Sequence, residues 1–571
     1  MSETIQFSSL DVHFADFITR IDQNPCDQLW LAAALTSNAA GHGHTCLDMA
    51  TAENLNITPF GHPRKQLQPP DLETWRTALL SCDTIGSPGE YTPLVLDEAG
   101  RLYLHRSWEY ERQVAEGILS RSRLLQVDAA QLEVGLEHYF PGRDNQPDLQ
   151  REAARMALTH RFCIISGGPG TGKTATVARI LALAIEMAGE HKPKIALAAP
   201  TGKAAMRLRQ SILQASEKLD VPEEIRSKLP NNVGTIHRLL GVRAGGNGFR
   251  HNRDNPLPCD MLVVDEASMV DLPLMARLLE ALQDQTRVLL LGDRDQLASV
   301  EAGAVLADIC AGACGISNKT PTVIQLTKSY RFSGDSGIGA LSRLINAGEH
   351  DSAMDLLTSG RYADVIWRPL PAGKPFEATF SAAAKAGYAA YVQAATPEEA
   401  LTELDRFRVL SPLRSGLYGV ANLNRLCETA LGFKRREGET CYRHMPVMVS
   451  GNNYELGLFN GDTGVAMENE GRPAVWFNDP ESGLRHLSPL RLPVHETAFA
   501  LTVHKSQGSE FDRLLLILPD RMSEALSREL LYTAVTRARQ QVEIWGTEEV
   551  FRQAVQQRTQ RSSGLGDKLA G

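Results

Sequence analysis

A glycine-rich stretch in the first third of the chain constrains the fold more than any other feature. Its residues are Gly167, Gly168, Pro169, Gly170, Thr171, Gly172, Lys173 and Thr174. An apolar run precedes it and a helix-compatible run, residues 175–184, follows it. In that context the spacing predicts a phosphate-binding loop, because glycines and a helix N-terminus bring backbone N–H groups to an anion. Lys173 is expected to reach the β- and γ-phosphates, and the Thr174 hydroxyl to ligate Mg²⁺. A plain glycine-rich turn is the alternative.

Length and composition set the broad class of protein. The chain has 571 residues, so three or four domains are expected. It is 43% hydrophobic and 22% charged, as in soluble globular proteins, and no apolar run of about 18 residues predicts a membrane span. No secretory signal is visible, and nine dispersed cysteines suit reduced thiols, so a cytoplasmic protein is expected. The net charge of −9 argues mildly against nonspecific nucleic-acid binding but does not exclude a basic channel.

Residues 1–125 are expected to form a separate, mostly helical domain. Apolar residues within 16–21, 28–35 and 108–125 fit helical faces, and no catalytic constellation stands out. His42, His44 and Cys46 match no familiar metal-site spacing and are expected in a solvated loop. The region is interpreted as an interaction module.

Two further domains, 126–345 and 346–571, are expected to be α/β. Candidate strands of the first are Phe162–Ile165, Ile195–Ala198, Met261–Val264 and Val288–Leu291. Candidate strands of the second are Phe407–Leu410, Phe499–Thr502, Leu514–Leu518 and Val542–Trp545. Each ends before a polar or glycine-containing loop, which is typical of parallel sheets that bind ligands at the carboxyl ends of their strands.

Two insertions interrupt these domains. Residues 241–258 contain Gly245-Gly246-Asn247-Gly248 and Asn255-Pro256, turn sequences that suit a small hairpin. Residues 437–494 carry short β-like runs at 446–449, 463–467 and 474–477, separated by Gly/Asn turns. They are predicted to form a small β-barrel.

Polar residues near the candidate strands indicate how a bound nucleoside triphosphate could be hydrolysed. Asp265, at a strand end, is expected to hold Mg²⁺, and the adjacent Glu266 to orient the attacking water. Gln296 follows the next strand and could sense the γ-phosphate, although its segment is a weak signal alone. The Gln150 amide could read an adenine edge; an exposed helical glutamine is the alternative.

Two arginines, Arg331 and Arg537, are candidates for the outside cation that phosphate loops often need. Arg331 lies in Leu326–Phe332 and Arg537 in Leu531–Arg539. A surface or salt-bridged arginine is the alternative for each one taken singly.

Taken in order, these segments resemble superfamily 1 DNA helicases over most of residues 145–545. Three more matching segments are Ala199–Ala205, Thr235–Leu240 and Thr502–Glu510. The residues of these segments and of Phe459–Gly464 are most similar to those of the RecD family, the α subunits of RecBCD (exodeoxyribonuclease V) complexes. Longer RecD-like helicases that work alone carry an extended N-terminal region, whereas about 145 residues precede the motifs here.

The resemblance implies two RecA-like motor domains that use ATP and Mg²⁺ to move 5′ to 3′ on single-stranded DNA. It implies RecB-like and RecC-like partners in a heterotrimer that acts on duplex ends, in recombinational repair of double-strand breaks and degradation of linear DNA. The N-terminal domain would dock on a partner. The implied strand-contacting residues, suited to phosphates, are Thr201, Lys203, Thr235, His237, Thr502, His504 and Lys505.

Other interpretations stay open. A non-motor ATPase switch would need the phosphate loop, Asp265 and Glu266, but not the segment 502–510. A nuclease would need an acidic cluster and a lysine outside the motor, and none is visible, so nuclease activity is expected on a partner chain. Residues 249–252 are hypothesised to part a duplex, with a plain exposed hairpin as the alternative.

Overall fold

A computed structural model describes most of the chain. The described residues are 4–52, 55–57, 68–142, 148–219, 221–230, 232–243, 248–299, 301–312, 322–332, 335–371, 373–433, 440–453, 455–479 and 483–570. Within these ranges no helix is long and apolar enough to cross a membrane. Eight cysteines fall within them, all as free thiols.

The N-terminal domain combines helices with a small sheet. Its elements are β1 (Thr4–Ile5), α1 (Ser9–Ile21), α2 (Asp27–Gly41), β2 (Cys46–Asp48), α3 (Met49–Ala52), β3 (Asn56–Ile57), α4 (Leu72–Leu80), β4 (Ile85–Gly86), β5 (Leu94–Leu96), β6 (Arg101–Leu104) and α5 (His105–Leu119). The predicted helices are present as α1, α2 and α5. A four-stranded sheet of order β2-β6-β5-β4 was not predicted, because strands of two to four residues are too short to show a period-two pattern.

The first α/β domain is built on a parallel sheet. Its elements are α6 (Ala129–Tyr139), α7 (Leu149–Thr159), β7 (Phe162–Gly167), α8 (Lys173–Met187), β8 (Ile195–Ala199), α9 (Gly202–Lys218), α10 (Glu223–Lys228), β9 (Val233–Thr235), α11 (Ile236–Leu240), β10 (Met261–Val264), α12 (Leu272–Glu280), β11 (Arg287–Gly292), α13 (Val305–Gly312) and β12 (Thr322–Leu326). The strand order is β12-β7-β11-β10-β8-β9, and every pairing is parallel. Helices cover both faces, which explains why the buried strands read as continuous apolar runs.

The second α/β domain has the same architecture with an insertion. Its elements are α14 (Gly337–Ala347), α15 (His350–Thr358), β13 (Val365–Pro369), α16 (Lys374–Gly387), α17 (Ala389–Gln393), α18 (Pro397–Arg406), β14 (Phe407–Ser411), α19 (Val420–Ala430), β15 (Pro446–Val449), β16 (Thr463–Asn469), β17 (Arg472–Asp479), β18 (Gly483–Leu487), β19 (His495–Thr497), β20 (Ala500–Thr502), β21 (Phe511–Ile517), α20 (Arg528–Val535), β22 (Ala538–Gly546) and α21 (Glu548–Gln556). The C-terminal helix α22 (Leu565–Ala570) follows them in sequence. The parallel sheet has the order β13-β22-β21-β14-β20.

All eight predicted core strands are confirmed, with ends shifted by a few residues. Three strands of the two parallel sheets, β9, β12 and β13, are not predicted, and each lies at a sheet edge. β9 and β13 are mostly half-buried or exposed, whereas the predicted edge strand β20 is fully buried, so partial exposure accompanies the weaker apolar pattern.

The insertion forms an antiparallel sheet of order β18-β17-β16-β15-β19. The three predicted β-like runs are β15, β16 and β17. Among the described residues the outer strands β18 and β19 do not pair with each other, so closure into a barrel is not confirmed. In the other insertion, antiparallel bridges join Val242 to Phe249 and Asn252 to Asn255; residues 244–247 of the predicted turn lie outside the described residues.

The C-terminal segment returns to the first half of the molecule. After α21, residues 557–560 are exposed, and α22 then packs between α5 and α13. Leu565 and Leu569 are 1% and 2% exposed in the core of the first α/β domain. The fully buried Glu111 carboxylate accepts hydrogen bonds from the Gly564 N–H at 3.1 Å and from Lys568 Nζ at 2.7 Å. Residues 562–570, grouped with 346–571 in the sequence analysis, therefore belong spatially to the other side of the molecule.

Candidate functional site

The phosphate loop joins β7 to α8 at the carboxyl edge of the first parallel sheet. Gly170 and Gly172 have φ of 77° and 83°, in the left-handed region that favours glycine. The Lys173 ammonium donates hydrogen bonds to the carbonyls of Gly167 and, at 3.2 Å, of Gly168, and so lies across the loop. Thr174 is half-buried in the first turn of α8. The Lys173 ammonium, the loop backbone and the N-terminus of α8 therefore lie side by side, so their hydrogen-bond donors can serve one bound anion.

Two carboxylates follow the neighbouring strand β10. The Asp265 carboxylate accepts a 2.8 Å hydrogen bond from the Glu266 N–H. Burial and the neighbouring Glu266 carboxylate raise the pKa of Asp265 to about 6, and the Lys173 charge acts in the opposite direction. Glu266 itself has a φ of 52°, a strained conformation for a non-glycine residue that costs roughly 1–3 kcal/mol and is typical of functional sites.

Both predicted arginines reach the cleft between the two α/β domains. Arg331 Nη2 donates to Glu510 Oε1 at 2.6 Å, whereas its Nη1 is buried and has no hydrogen-bond partner in the described part of the chain. Arg537 is 2% exposed and donates to the carbonyls of Thr533 and Ser509. Burial lowers the pKa of Arg537, against the pull of the nearby Glu266 and Glu510 charges.

These groups fit a nucleoside triphosphate with a divalent cation. A buried guanidinium nitrogen without a partner and an ammonium lying on the loop are donors suited to phosphate oxygens. The Thr174 hydroxyl and the Asp265 carboxylate are oxygen ligands of the kind that Mg²⁺ prefers.

A hydrogen-bond network beside the loop was only partly predicted. The Tyr532 hydroxyl and Gln296 Nε2 both donate to Asp293 Oδ2 at 2.9 Å. Burial raises the pKa of Asp293. A Cβ placed on Gly168 would lie 2.8 Å from the Tyr532 hydroxyl, so the network touches the phosphate loop. The sequence predicts a role for Gln296; Tyr532 lies in the segment singled out for Arg537, but no role of its own is predicted for it.

An amide and an aromatic ring flank the other side of the loop. Gln150 Nε2 donates to the Thr171 carbonyl at 3.2 Å. The Tyr330 N–H donates to the Gly170 carbonyl at 2.7 Å, and its side chain is 63% exposed. A Cβ on Gly172 would lie 2.7 Å from Gln150 Nε2 and 3.6 Å from the Tyr330 ring. Gln150 is therefore at the predicted site, and Tyr330 is a neighbour to which sequence analysis gave no role of its own.

The predicted strand-contacting threonines all stand at starts of helical turns. Thr201 and Thr235 are the N-caps of α9 and α11, with hydroxyls that accept from the Ala204 and Arg238 N–H groups. The Thr502 hydroxyl accepts from the Lys505 N–H at 3.3 Å. Thr235 and Ala199, which immediately precedes the Thr201 loop, are paired in the register of β9 and β8.

The two predicted lysines pair with carboxylates of the second α/β domain. Lys203 lies 3.9 Å from Asp405 and 5.9 Å from the centre of the Phe511 ring, and burial lowers the pKa of Lys203. Lys505 forms an ion pair with Glu496 in β19. Lys203 therefore lies between α9 of the first domain and α18 of the second, and Lys505 lies beside the inserted sheet.

The two predicted histidines occupy separate, partly covered positions. His237 lies 5.9 Å from the Phe249 ring, which joins it to the 241–258 insertion. His504 lies near Arg561 and Arg414. Burial lowers the pKa of both histidines, so the neutral rings dominate near pH 7.

The expectation of a solvated loop holds for His42, which is exposed in a turn, but not for the half-buried His44 or for Cys46. The His44 Nδ1 accepts a 2.9 Å hydrogen bond from the Ser562 N–H of the C-terminal segment, and Cys46 is 2% exposed in β2. Over the described residues no cluster of three or more His, Cys, Asp or Glu residues could hold a metal ion.

Three family models match successive parts of the chain. The N-terminal domain of RecBCD enzyme subunit RecD matches residues 3–103, an AAA domain matches 150–302, and a UvrD-like helicase C-terminal domain matches 497–544. They follow one another in the order expected from the motifs.

Individual relatives cover almost the whole chain. The RecBCD enzyme subunit RecD of Mycolicibacterium smegmatis is 38% identical over 98% of this chain and 97% of its own length. That of Haemophilus influenzae is 35% identical over 87% of this chain and 85% of its own. The ATP-dependent RecD2 DNA helicase of Deinococcus radiodurans is 31% identical over 84% of this chain but only 60% of its own length.

Proposed function

Because this chain belongs to the RecD family of RecBCD enzyme subunits, we propose that it is an ATP-dependent motor that moves 5′ to 3′ on single-stranded DNA and unwinds duplex DNA. One observation carries the proposal. Lys173, Asp265 and Glu266 of the first α/β domain face the same cleft as Arg331 and Arg537, and strand-contact motifs from both domains adjoin that cleft. A motor needs such a shared cleft, because nucleotide binding can then change the relative position of two strand-holding domains.

The residues that would hold the nucleotide are distributed around the phosphate loop. Lys173 and the loop amides would bind the β- and γ-phosphates, and Thr174 and Asp265 would ligate Mg²⁺. Gln150 would hydrogen-bond the adenine, and the exposed Tyr330 ring offers a face on which a base can stack. Bound Mg²⁺ would neutralise charge that develops on the phosphates during hydrolysis.

The remaining site residues would act on the reaction itself. Glu266 would accept a hydrogen bond from the attacking water and orient it. The free Nη1 of Arg331 and the buried guanidinium of Arg537 would stabilise negative charge on the transferred group. Because Arg537 comes from the second domain, hydrolysis would require the cleft to be closed.

Coupling to DNA would run through the segment after β11. The Leu297 N–H donates to Thr533 Oγ1 at 2.9 Å, and Gln507 Nε2 donates to the Leu297 carbonyl at 2.9 Å. Gln507 lies in the same segment as Thr502, His504 and Lys505. Closure of the cleft would therefore move the strand contacts of the second domain together with the γ-phosphate sensor Gln296.

The subunit context follows from the family. We propose a heterotrimer with RecB-like and RecC-like subunits that processes duplex ends in recombinational repair and degrades linear DNA, with the nuclease centre on a partner. The N-terminal domain, 1–125, would dock on a partner. The motor would comprise 126–345 and 346–561, and residues 562–570 would complete the first α/β domain.

The test is ATP-dependent strand displacement on duplexes with a 5′ or a 3′ single-stranded tail. It is run with the chain alone and with its partner subunits, and includes Lys173→Gln and the control Lys192→Gln, which removes an exposed lysine of the same domain. Displacement confined to 5′-tailed duplexes, lost in Lys173→Gln and kept in Lys192→Gln, supports the proposal. ATP hydrolysis without displacement on either tail, even with partners, would favour the switch interpretation instead.

A further inference from the structure

One carboxylate at the cleft holds three guanidinium groups. Glu510 Oε1 lies 2.6 Å from Arg331 Nη2, and Glu510 Oε2 lies 2.6 Å from Arg207 Nη2 and 3.2 Å from Arg539 Nε. The Glu510 side chain is 13% exposed. Both carboxylate oxygens are therefore paired with guanidinium groups, and the arginine side chains are 23% (Arg331), 31% (Arg207) and 46% (Arg539) exposed.

Two of the three arginines come from the opposite side of the cleft. Arg207 lies on α9 of the first domain, and Arg331 follows Tyr330, whose N–H is hydrogen-bonded to the phosphate loop. Arg539 lies on β22, beside Glu510 in the second domain. The Glu510 carboxylate thus joins the two domains through charge, and Arg207 reinforces the joint with a 2.9 Å hydrogen bond to the Gly508 carbonyl.

The arrangement fixes the direction of the Arg331 guanidinium. The group is planar, so a bond from Nη2 to Glu510 leaves Nη1 in a defined orientation. Nη1 is buried and has no hydrogen-bond partner in the described structure. A donor held in this way is pre-organised for an acceptor that enters the cleft.

We propose that Glu510 is a positioning residue that makes the placement of Arg331 depend on closure of the cleft. The inference rests on the proposed nucleotide-hydrolysing function and extends it to residues outside the phosphate loop. Arg207 docks on Glu510 only when the two domains meet. The Glu510 carboxylate that pairs with Arg207 across the cleft therefore also holds Arg331 beside the phosphate loop.

The charges of the Glu510 cluster link closure of the cleft to the placement of Arg331. If the cleft opens, Glu510 leaves both Arg207 and Arg331, and each charge must find water or another partner. With the cleft closed, Glu510 is only 13% exposed, so its carboxylate would be poorly compensated there without the two arginines. The closed arrangement is therefore stabilised by the same carboxylate that positions the arginine.

The experiment compares Glu510→Gln, Arg207→Gln and the double variant in the full chain. The matched control is Glu543→Gln, which removes a glutamate of the second domain that pairs with Arg368, at 2.6 Å, within that domain. Two quantities are measured: ATP turnover with its KM, and the distance between fluorophores at positions 192 and 524 in nucleotide-free protein. Both positions are exposed, one in each α/β domain.

We expect Glu510→Gln and Arg207→Gln to lengthen the nucleotide-free distance and to lower kcat roughly 10- to 100-fold with little change in KM, as for a misplaced catalytic group. The double variant should be no worse than either single one, because both break the same joint. The control should leave both quantities unchanged.

Two results would overturn the inference: an unchanged distance and turnover in Glu510→Gln, with or without a lowered melting temperature, or additive effects in the double variant. The distance in nucleotide-free protein does not depend on hydrolysis. A failure of Lys173→Gln to lower turnover would therefore refute the proposed function without deciding the role of Glu510.

Discussion

The Tyr532 hydroxyl donates a 2.9 Å hydrogen bond to the Asp293 carboxylate across the interface between the two α/β domains. The same oxygen accepts from Gln296, and the adjacent Leu297 N–H donates to Thr533. Helix α20 of the second domain thus holds the segment after β11 of the first domain at two successive points. This pair of contacts lies directly between the phosphate loop and the strand-contact segment 502–510.

Tyr532→Phe removes this contact with little change in shape. Asp293 keeps the Gln296 side-chain donor and the Asp295 N–H, but its Oδ2 loses one of two donors. Leaving a buried acceptor short of one partner costs about 1–3 kcal/mol. We expect ATP to bind normally, whereas stimulation of ATPase by single-stranded DNA falls several-fold. The measurement is an ATPase titration with DNA, and Tyr91→Phe, at a side chain 95% exposed, is the control. Full stimulation in Tyr532→Phe would exclude the network from coupling.

Lys173→Gln removes the ammonium that lies across the phosphate loop. Hydrolysis should fall by orders of magnitude, because the β- and γ-phosphates lose their cation. Circular dichroism and the melting temperature should stay near those of the parent protein. Turnover close to that of Lys192→Gln would contradict the assignment of the loop.

Arg537→Ala removes a guanidinium that is 2% exposed. Nucleotide affinity, measured by equilibrium binding, should be retained, while single-turnover hydrolysis falls by roughly 10³-fold, as expected for an arginine finger. The control is Arg521→Ala, which removes an arginine whose side chain is 87% exposed and to which no role in the site is assigned. An unchanged hydrolysis rate would place Arg537 outside the chemistry.

The Glu510 cluster should give stability a specific dependence on pH. Burial acts to raise the pKa of Glu510, but the charges of Arg207 and Arg331 outweigh it and hold the pKa at about 2, against 4.5 for an ordinary glutamate. A carboxylate with a depressed folded-state pKa stabilises the fold above its unfolded pKa, and that contribution is lost as pH falls toward the folded value. At about 1.4 kcal/mol per pKa unit, the contribution at neutral pH is of the order of 3 kcal/mol.

The check is the melting temperature of the parent protein and of Glu510→Gln between pH 7 and pH 3.5. The difference should be nearly constant from pH 7 to about pH 5.5 and should shrink as pH falls through 4.5, where unfolded glutamate is half protonated. A difference that does not change over the whole range would show that the charge of Glu510 is not what stabilises the cluster.

The C-terminal helix should stabilise the first α/β domain rather than the second. Leu569 is 2% exposed in the core of the first domain, and truncating a buried leucine to alanine costs about 2–5 kcal/mol. Leu569→Ala should therefore increase hydrogen exchange in α5 and α13. Leu490→Ala, at a side chain 87% exposed, should leave exchange unchanged. Faster exchange confined to the second parallel sheet would contradict this placement of α22.

The parts of the site that are built from residues close together in the sequence were predictable. The phosphate loop with β7 and α8, and the Asp265–Glu266 pair after β10, are local patterns, since strand, loop and helix follow one another directly. The central strands were also predictable, because burial on both faces imposes continuous apolar runs. The edge strands β9 and β13 are mostly half-buried or exposed and are not predicted, whereas the fully buried edge strand β20 is.

The tertiary structure decided which distant residues meet. Tyr532 and Asp293 are 239 positions apart, and Arg331 and Glu510 are 179 positions apart. No spacing in the sequence encodes such contacts, because they depend on how two parallel sheets face each other. The same holds for α22, which follows the second domain in sequence but fills the core of the first. Local sequence patterns therefore reveal the chemistry that each segment can offer, whereas the packing of the two domains brings those chemistries together in one cleft.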